Sequence, residues 1–235
     1  MNLRDAAFIL TGGSRGIGRA TAALLISHGA NVVITGRNEE ALNRAASEIG
    51  ATPVAADVSN PDDVKRTYKL FFEKFEVLHG LVNNAGFGAF AALTDLEPEE
   101  FQRVWAVNVL GPTLMAKEAA LAFKLQQHGN IINIASTAAL RGVEQGSAYV
   151  ASKFALRGLA ECWRAELRPF NVRVTTIYPS EVTTVFGSDT DTARDPADKP
   201  NRLRPAEIAH AVVAALQMDD RGFIPDLSVY ATNPW

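Results

Sequence analysis

Tyr149 and Lys153 stand four residues apart in the run Ser147-Ala148-Tyr149-Val150-Ala151-Ser152-Lys153. On a helix, residues four apart share one face, about one turn from each other (~6 Å along the axis). A phenol is a weak acid with a reference pKa of about 10, and a fixed ammonium beside it favours the phenolate and lowers that value. The pair therefore has the chemistry of a proton donor and acceptor working near neutral pH. Ser136 lies upstream, just after the apolar run 131–135. Alone, the Y-x-x-x-K spacing also arises on ordinary surface helices, so its meaning depends on the rest of the chain.

A second chemical signature lies near the start. Ala6 to Thr11 is apolar without alternation, as in a strand buried on both faces. Gly12-Gly13-Ser14-Arg15-Gly16-Ile17-Gly18 follows, then a helical pattern from Arg19 to His28. Strand, glycine-rich turn and helix is the context in which backbone N–H groups and a helix dipole hold phosphate. The spacing G-x-x-x-G-x-G differs from the common G-x-G-x-x-G and lacks the Gly-Lys-Ser/Thr ending of an ATP-type loop. The second strand, 32–35, runs into Gly36-Arg37. An acid at that point binds a ribose 2′-hydroxyl, whereas an arginine suits a 2′-phosphate. Arg37 and Arg15 together point to NADP rather than NAD. Asp57 follows the third strand and either meets an adenine amino group or caps its own turn; residue types do not separate the two. Asn83-Asn84-Ala85-Gly86 closes the fourth strand, at the sheet edge where doubly wound folds bind ligands. Asn108 falls inside a helix expected over 98–109, where asparagine is an indifferent helix former.

The elements that must position these groups alternate. Strands are expected at 6–11, 32–35, 53–56, from 81, at 129–135, 172–177 and 227–231. Helices are expected at 19–28, 39–49, 61–75, 98–109, 111–126, 147–168 and 205–218. This order predicts an α/β fold: one Rossmann-type, doubly wound parallel sheet of about seven strands with helices on both faces. The 235 residues read as a single domain, 1–235. Residues 181–204 are polar and aperiodic, the pattern of a functional loop, and are read as the substrate loop.

Composition narrows the function classes. The chain is 47% hydrophobic and 21% charged with a net charge of -3, which gives no global field for nucleic acid or for an acidic membrane surface. No apolar stretch approaches the ~18 residues of a membrane span. The N-terminal residues do not read as a signal peptide, so a cytoplasmic location is expected. One cysteine, Cys162, excludes a disulfide framework and is read as a core or half-buried thiol. The four histidines are scattered without metal-ligand spacing, and no metal site is expected.

Taken together, Thr11-Gly12-Gly13-Ser14-Arg15-Gly16-Ile17-Gly18, Asp57-Val58, Asn83-Asn84-Ala85-Gly86, Asn108, Ser136 and Tyr149-x-x-x-Lys153 occur in one register. In that register the chain resembles the short-chain dehydrogenase/reductase family, in its non-extended branch, over nearly its whole length. The resemblance implies an NADPH-dependent oxidoreductase that reduces a ketone or aldehyde, with Tyr149 as proton donor. Lys153 would lower the Tyr149 pKa and bind the nicotinamide ribose, Ser136 would donate to the carbonyl oxygen, and Asn108 would hold a relay water. Gly12, Gly16 and Gly18 would line the diphosphate turn with Ser14 and Ile17. Arg15 and Arg37 would hold the 2′-phosphate, and Asp57 with Val58 the adenine. Asn84, Ala85 and Gly86 would border the ribose. Pro179 and the Val182 backbone would meet the nicotinamide, with Thr184 near the phosphates.

Two features depart from the family pattern. Pro179-Ser180 stands where Pro-Gly is common, so Ser180 is read as able to reach substrate or to reshape the nicotinamide wall. The C-terminal stretch lacks the Asp-Gly-Gly type ending of many tetrameric members. A homodimer or homotetramer is expected, the dimer through helices 112–126 and 147–168. The substrate wall is expected to use Phe87, Phe90, Leu140, Val143, Val185 and Phe186 beside Ser136, Tyr149 and Ser180. Two other readings stay open: an NADP-linked alcohol dehydrogenase running oxidatively, and a non-catalytic NADP-binding sensor or scaffold.

Overall fold

Strand β1 (Ala7–Thr11) is apolar up to Thr11 because the fold covers both of its faces. Side chains alternate along a strand. Phe8 and Leu10 enter a core layer with Ala22, Leu25, Leu42 and Val212, whereas Ala7 and Ile9 enter the opposite layer with Phe71, Met115, Phe123 and Ala160. Phe8, Ile9 and Leu10 are wholly buried, and each such side chain contributes roughly 1.5–3 kcal/mol of apolar transfer. The structure, a computed structural model, describes residues 1–184, 199 and 201–233.

The remaining strands are β2 (Asn31–Gly36), β3 (Thr52–Ala55), β4 (Gly80–Asn83), β5 (Gly129–Ile134), β6 (Val172–Pro179) and β7 (Asp226–Val229). They join β1 in one seven-stranded sheet of order β3-β2-β1-β4-β5-β6-β7, every neighbouring pair parallel. The helices are α1 (Gly16–Ser27), α2 (Glu39–Ile49), α3 (Pro61–Lys74), α4 (Pro98–Trp105), α5 (Gly111–Gln126), α6 (Ser147–Leu167) and α7 (Pro205–Gln217). α1, α2 and α7 contribute to one core layer and α3, α5 and α6 to the other. This is the doubly wound parallel sheet that the alternation of elements predicts. Strand order reverses between β1 and β4, so the connections leaving them diverge and open a crevice at their C-terminal ends.

Local signals set several helix starts. Asn38 accepts from Ala41 N ahead of α2, and Asn60 accepts from Asp62 N and Asp63 N ahead of α3, with Pro61 at the first helical position. Caps of this kind are worth about 1 kcal/mol each. α1 begins three residues earlier than its apolar pattern suggests, at Gly16, because the glycine turn feeds straight into it. The helix expected over 98–109 ends at Trp105 and passes into a π turn, Ala106–Leu110, before α5. Here the Gly111 N–H bonds to Ala106 O, five residues back. Pro112 has no N–H to give the Asn108 carbonyl four residues earlier, and its ring would crowd that carbonyl, so the α-helical ladder cannot run through this point.

Cys162 is exposed on α6 rather than buried or half-buried, because it lies on the face turned away from the sheet. Among the described residues no helix is long and apolar enough to cross a membrane.

Gly18 shows how tightly the crevice is built. A Cβ there would lie 2.1 Å from Gly12 O and 2.5 Å from Asn84 Nδ2. Gly18→Ala is expected to destabilise by roughly 1–3 kcal/mol through overpacking, read as a calorimetric Tm lower by about 2–4 °C per kcal/mol. Gly158→Ala, where a Cβ meets nothing within 4 Å, is the control and should be neutral or stabilising. Equal melting of both variants would contradict the close approach.

Candidate active site

β1 and β4 are fastened at their C-terminal ends by side-chain hydrogen bonds. Thr11 Oγ1 accepts from Asn84 N and Ala85 N, each at 3.0 Å. Asn84 Nδ2 donates to Thr11 O at 2.9 Å and Gly12 O at 3.0 Å. Beyond this knot Gly12 turns with φ of 69°, in the left-handed region. α1 then starts with Arg15 at its N-cap and no capping hydrogen bond from that side chain. An uncapped helix N-terminus presents backbone N–H groups and a positive dipole end to an anion.

Those N–H groups look into a cleft of about 510 Å³. Ser14, Arg15, Gly16 and Ile17 form one wall with Gly12, and Arg37 stands beside them after Gly36. Asp57, Val58, Asn84, Ala85 and Gly86 line it too. Pro179, Ser180, Val182 and Thr184 line it as well, with Thr184 Cγ2 3.3 Å from the position of a Cβ on Gly16. A bare turn, an uncapped N-terminus and two arginines lining one cleft fit an elongated, phosphate-bearing ligand.

Three expectations change in detail. Gly18 does not line the cleft; it is where α1 packs onto the Gly12 carbonyl. The Asn84 amide nitrogen is spent on two backbone carbonyls, so its side chain clamps the turn while the residue lines the cleft. Asp57 Oδ1 accepts from Ser59 N at 2.8 Å and Ser59 Oγ at 2.6 Å, so it caps its own turn while it lines the cleft.

The other end of the cleft holds the proton-transfer candidates. β5 delivers Ser136, whose Oγ accepts from Ala138 N at 3.1 Å in a short 3₁₀ turn. α6 delivers Tyr149 and Lys153, both buried, with Nζ 5.8 Å from the phenol ring centroid. Tyr149 hydrogen-bonds with Ser136, and Lys153 Nζ donates to Ile134 O at 3.1 Å. Burial pushes the phenol up to about 12, and the Ser136 hydrogen bond pulls it down only in part. Burial also brings the Lys153 amine down to about 8. The expected lowering of the Tyr149 pKa is thus reversed, because desolvation of the phenolate outweighs the Ser136 hydrogen bond.

Asn108 does not line the cleft. Its Oδ1 accepts from Phe87 N at 3.1 Å, and its Nδ2 donates to Phe87 O at 2.9 Å and Ser152 Oγ at 3.0 Å. Ser152 Oγ in turn donates to Tyr149 O at 2.7 Å. Asn108 therefore ties the wall carrying Phe87 to the helix carrying Tyr149. Reading the sequence for pairs missed Thr11 and Ser152; Ser152, three residues after Tyr149 and next to Lys153, had the helical spacing to reveal it. Glu181 and Arg202 also line the cleft, and neither had a sequence signal.

On the substrate side, Phe87 lines the cleft and the Phe90 ring lies 5.5 Å from that of Tyr149. Leu140 and Val143 are not among the residues lining it; they are exposed on the turn before α6, which is tied to Ala91 by Ala91 N donating to Gln145 O at 2.9 Å. Ser180 lines the cleft, but its Oγ accepts from Ala231 N at 3.3 Å, and its backbone stays out of the left-handed region, so the glycine replacement costs no strain. Val185 and Phe186 lie outside the described residues, as does most of the 181–204 loop.

The buried amine gives a pH signature with a definite sign. An unfolded Lys153 keeps its proton up to 10.5, whereas the folded one releases it at about 8. The unfolded chain therefore binds more protons between those values, and stability must rise with pH across that window. Above 10 the raised Tyr149 acts in the opposite sense, because the unfolded phenol ionises first. In urea titrations of the ligand-free protein, wild type should gain on the order of 1–2 kcal/mol over Lys153→Met from about pH 7.5 to about pH 9.5. A flat difference would contradict a charged amine buried at this position.

Residues 6–195 match the short chain dehydrogenase family. An uncharacterised oxidoreductase of Staphylococcus aureus (strain USA300) is 33% identical over 231 residues, 97% of each chain. The L-xylulose reductase of Caenorhabditis elegans is 36% identical over 222 residues, 90% of this chain and 87% of the relative. A metagenomic short-chain oxidoreductase solved in complex with NADP superposes with a TM-score of 0.85 at 34% identity, over 99% of both chains. An alcohol dehydrogenase from the archaeon Thermococcus sibiricus, complexed with 5-hydroxy-NADP, superposes with a TM-score of 0.87 at 28% identity, over 97% of both chains. Motif, sheet order and these matches agree over nearly the full length: the chain belongs to the short-chain dehydrogenase/reductase family.

Proposed function

We propose that the protein is an NADPH-dependent reductase of a ketone or aldehyde. One observation carries this reading: Tyr149, hydrogen-bonded with Ser136 and backed by Lys153, opens into the same cleft as the uncapped N-terminus of α1. Arg15 and Arg37 would hold the 2′-phosphate, the N–H groups of the Gly12–Ile17 turn the diphosphate, and Asp57 and Val58 the adenine. When bound, the nicotinamide supplies the hydride to the carbonyl carbon.

The chain's own residues then handle the oxygen. Ser136 Oγ and the Tyr149 hydroxyl converge on one point, where they would orient the carbonyl and stabilise the charge that develops on its oxygen. Tyr149 gives its proton to that oxygen as the alcohol forms. A phenol raised to about 12 holds its proton at neutral pH, so it enters the reductive step loaded. Lys153 sits behind Tyr149 with an amine near 8, able to share a proton at working pH. Asn108, whose carbonyl cannot receive an α-helical bond from Pro112, is the place for a relay water to Lys153.

Relatives support the reading without deciding the substrate: one is an L-xylulose reductase, and two solved neighbours are complexed with NADP or 5-hydroxy-NADP. A non-catalytic sensor would not need Ser136, Tyr149, Lys153 and the Asn108–Ser152 tie together. Phe87 and Phe90 beside Tyr149 favour a substrate with an apolar portion. A homodimer or homotetramer is the expected state, with Leu121 and Leu125 on α5 and Phe154 on α6 exposed for such an interface.

The purified protein should oxidise NADPH in the presence of a panel of ketones and aldehydes, more efficiently than NADH. Tyr149→Phe should lower kcat about 10²–10⁴-fold while leaving NADPH binding intact. Arg37→Ala should raise KM for NADPH about tenfold and barely change that for NADH. Unchanged turnover in Tyr149→Phe would overturn the mechanism. Tight NADPH binding without turnover on any carbonyl would favour the sensor.

A further inference from the structure

The segment that leaves β6 is pinned at two depths before it passes out of the described residues. Ser180 N donates to Val229 O at 2.9 Å, and Thr184 lies against Gly16 at the start of α1. The returning segment is stitched onto the same stretch. Val182 and Leu203 form a parallel bridge; Thr183 N donates to Leu203 O at 2.7 Å and Leu203 N to Glu181 O at 3.0 Å. Leu203 is buried in the core layer that holds α1 and α7, so this rung is anchored. Its consequence is to set Arg202 beside Glu181, with NH2 2.9 Å from Oε2, and both side chains line the cleft.

The pairing is chemically odd for a cleft that takes a phosphate-bearing ligand. A carboxylate there repels the ligand's charge, while an arginine attracts it. The pair is 40% exposed on the arginine and 75% on the glutamate, and exposed ion pairs hold weakly. A diphosphate offers more charge and forked oxygens that match a guanidinium in two bonds. The glutamate is therefore a partner that the arginine can leave.

We propose that Arg202 is a third cofactor-phosphate arginine, paired with Glu181 and exchanging that carboxylate for the dinucleotide diphosphate on binding. This rests on the NADPH reading above. Glu181 then acts as a brake on affinity: it gives Arg202 a partner in the free protein and leaves an unpaired charge near the diphosphate in the complex. The two residues form one ion pair yet have opposite effects on binding, which a purely structural latch would not produce.

The test is a titration of the full chain with NADPH, followed by nicotinamide fluorescence, with thermal melts of each ligand-free variant alongside. Arg202→Gln is expected to weaken binding about tenfold and Glu181→Gln to tighten it about threefold. The double variant should bind somewhat more tightly than Arg202→Gln, because the repelling carboxylate is gone, yet less tightly than wild type. Arg202→Lys, which keeps the charge without the fork, should fall between wild type and Arg202→Gln. Arg202→Gln should matter less for 2′,5′-ADP, which lacks the second phosphate of the diphosphate. Weakening of equal size in Arg202→Gln and Glu181→Gln, with matching losses in melting temperature, would overturn the proposal in favour of a latch. Normal wild-type binding with unmoved variants would also overturn it and leave the NADPH reading standing. Failure of wild type to bind NADPH would overturn both.

Discussion

The hydrogen bonds between Thr11 and the start of the segment after β4 are the constraint on which the cleft depends. Strand order reverses there, so the connections diverge and the backbone at both strand ends loses its sheet partners. Thr11 Oγ1 and the Asn84 amide supply those partners. Each such bond is worth about 1 kcal/mol net, but leaving the buried groups unpaired costs about 1–3 kcal/mol each. The knot also decides where the glycine turn lies, because Asn84 grips the Gly12 carbonyl and Gly18 must pass beneath it. Further polar residues lie in line across the sheet: Thr35 is opposite Thr11, Asn83 opposite Asn133, and Asn133 opposite Thr176, all buried. This polar row just below the cleft separates an apolar core from the chemistry above it.

The proton-transfer end is organised by burial and by one interrupted helix. Lys153 is enclosed and kept in place by the Ile134 carbonyl, which draws β5 and α6 together under Ser136 and Tyr149. Pro112 breaks the helical ladder at Asn108, and the resulting π turn points the Asn108 amide at Phe87 and Ser152. A residue that is not in the cleft therefore holds both of its walls. The same enclosure raises the Tyr149 phenol and lowers the Lys153 amine, leaving a protonated donor in front of an amine near 8.

Much of the fold was legible because it is encoded locally. Apolar runs without alternation mark strands covered on both faces, and Asn38, Asn60 and Pro61 mark helix starts by capping chemistry. The site was legible where its residues are close in sequence: the glycine turn, and Tyr149 with Lys153 on one helix. It was illegible where the partner comes from elsewhere. Leu140 and Val143 looked like pocket walls by proximity to Tyr149, yet both side chains are exposed on a turn tied to Ala91. Asn108 stands out by its type, yet it reads as part of a regular helix, because the effect of Pro112 is exerted four residues back along the ladder.

By itself the sequence determined which chemistries were on hand: a phenol and an amine one turn apart, a bare turn ahead of a helix, and two arginines where an acid would select against a 2′-phosphate. Spacing along a chain is enough for that, since helices and strands have set periods. The tertiary structure alone decided the direction of the Tyr149 pKa, the clamping role of Asn84 and the pairing of Arg202 with Glu181. Desolvation and partner choice depend on which distant segments close around a group, and that geometry is written only in the packed fold.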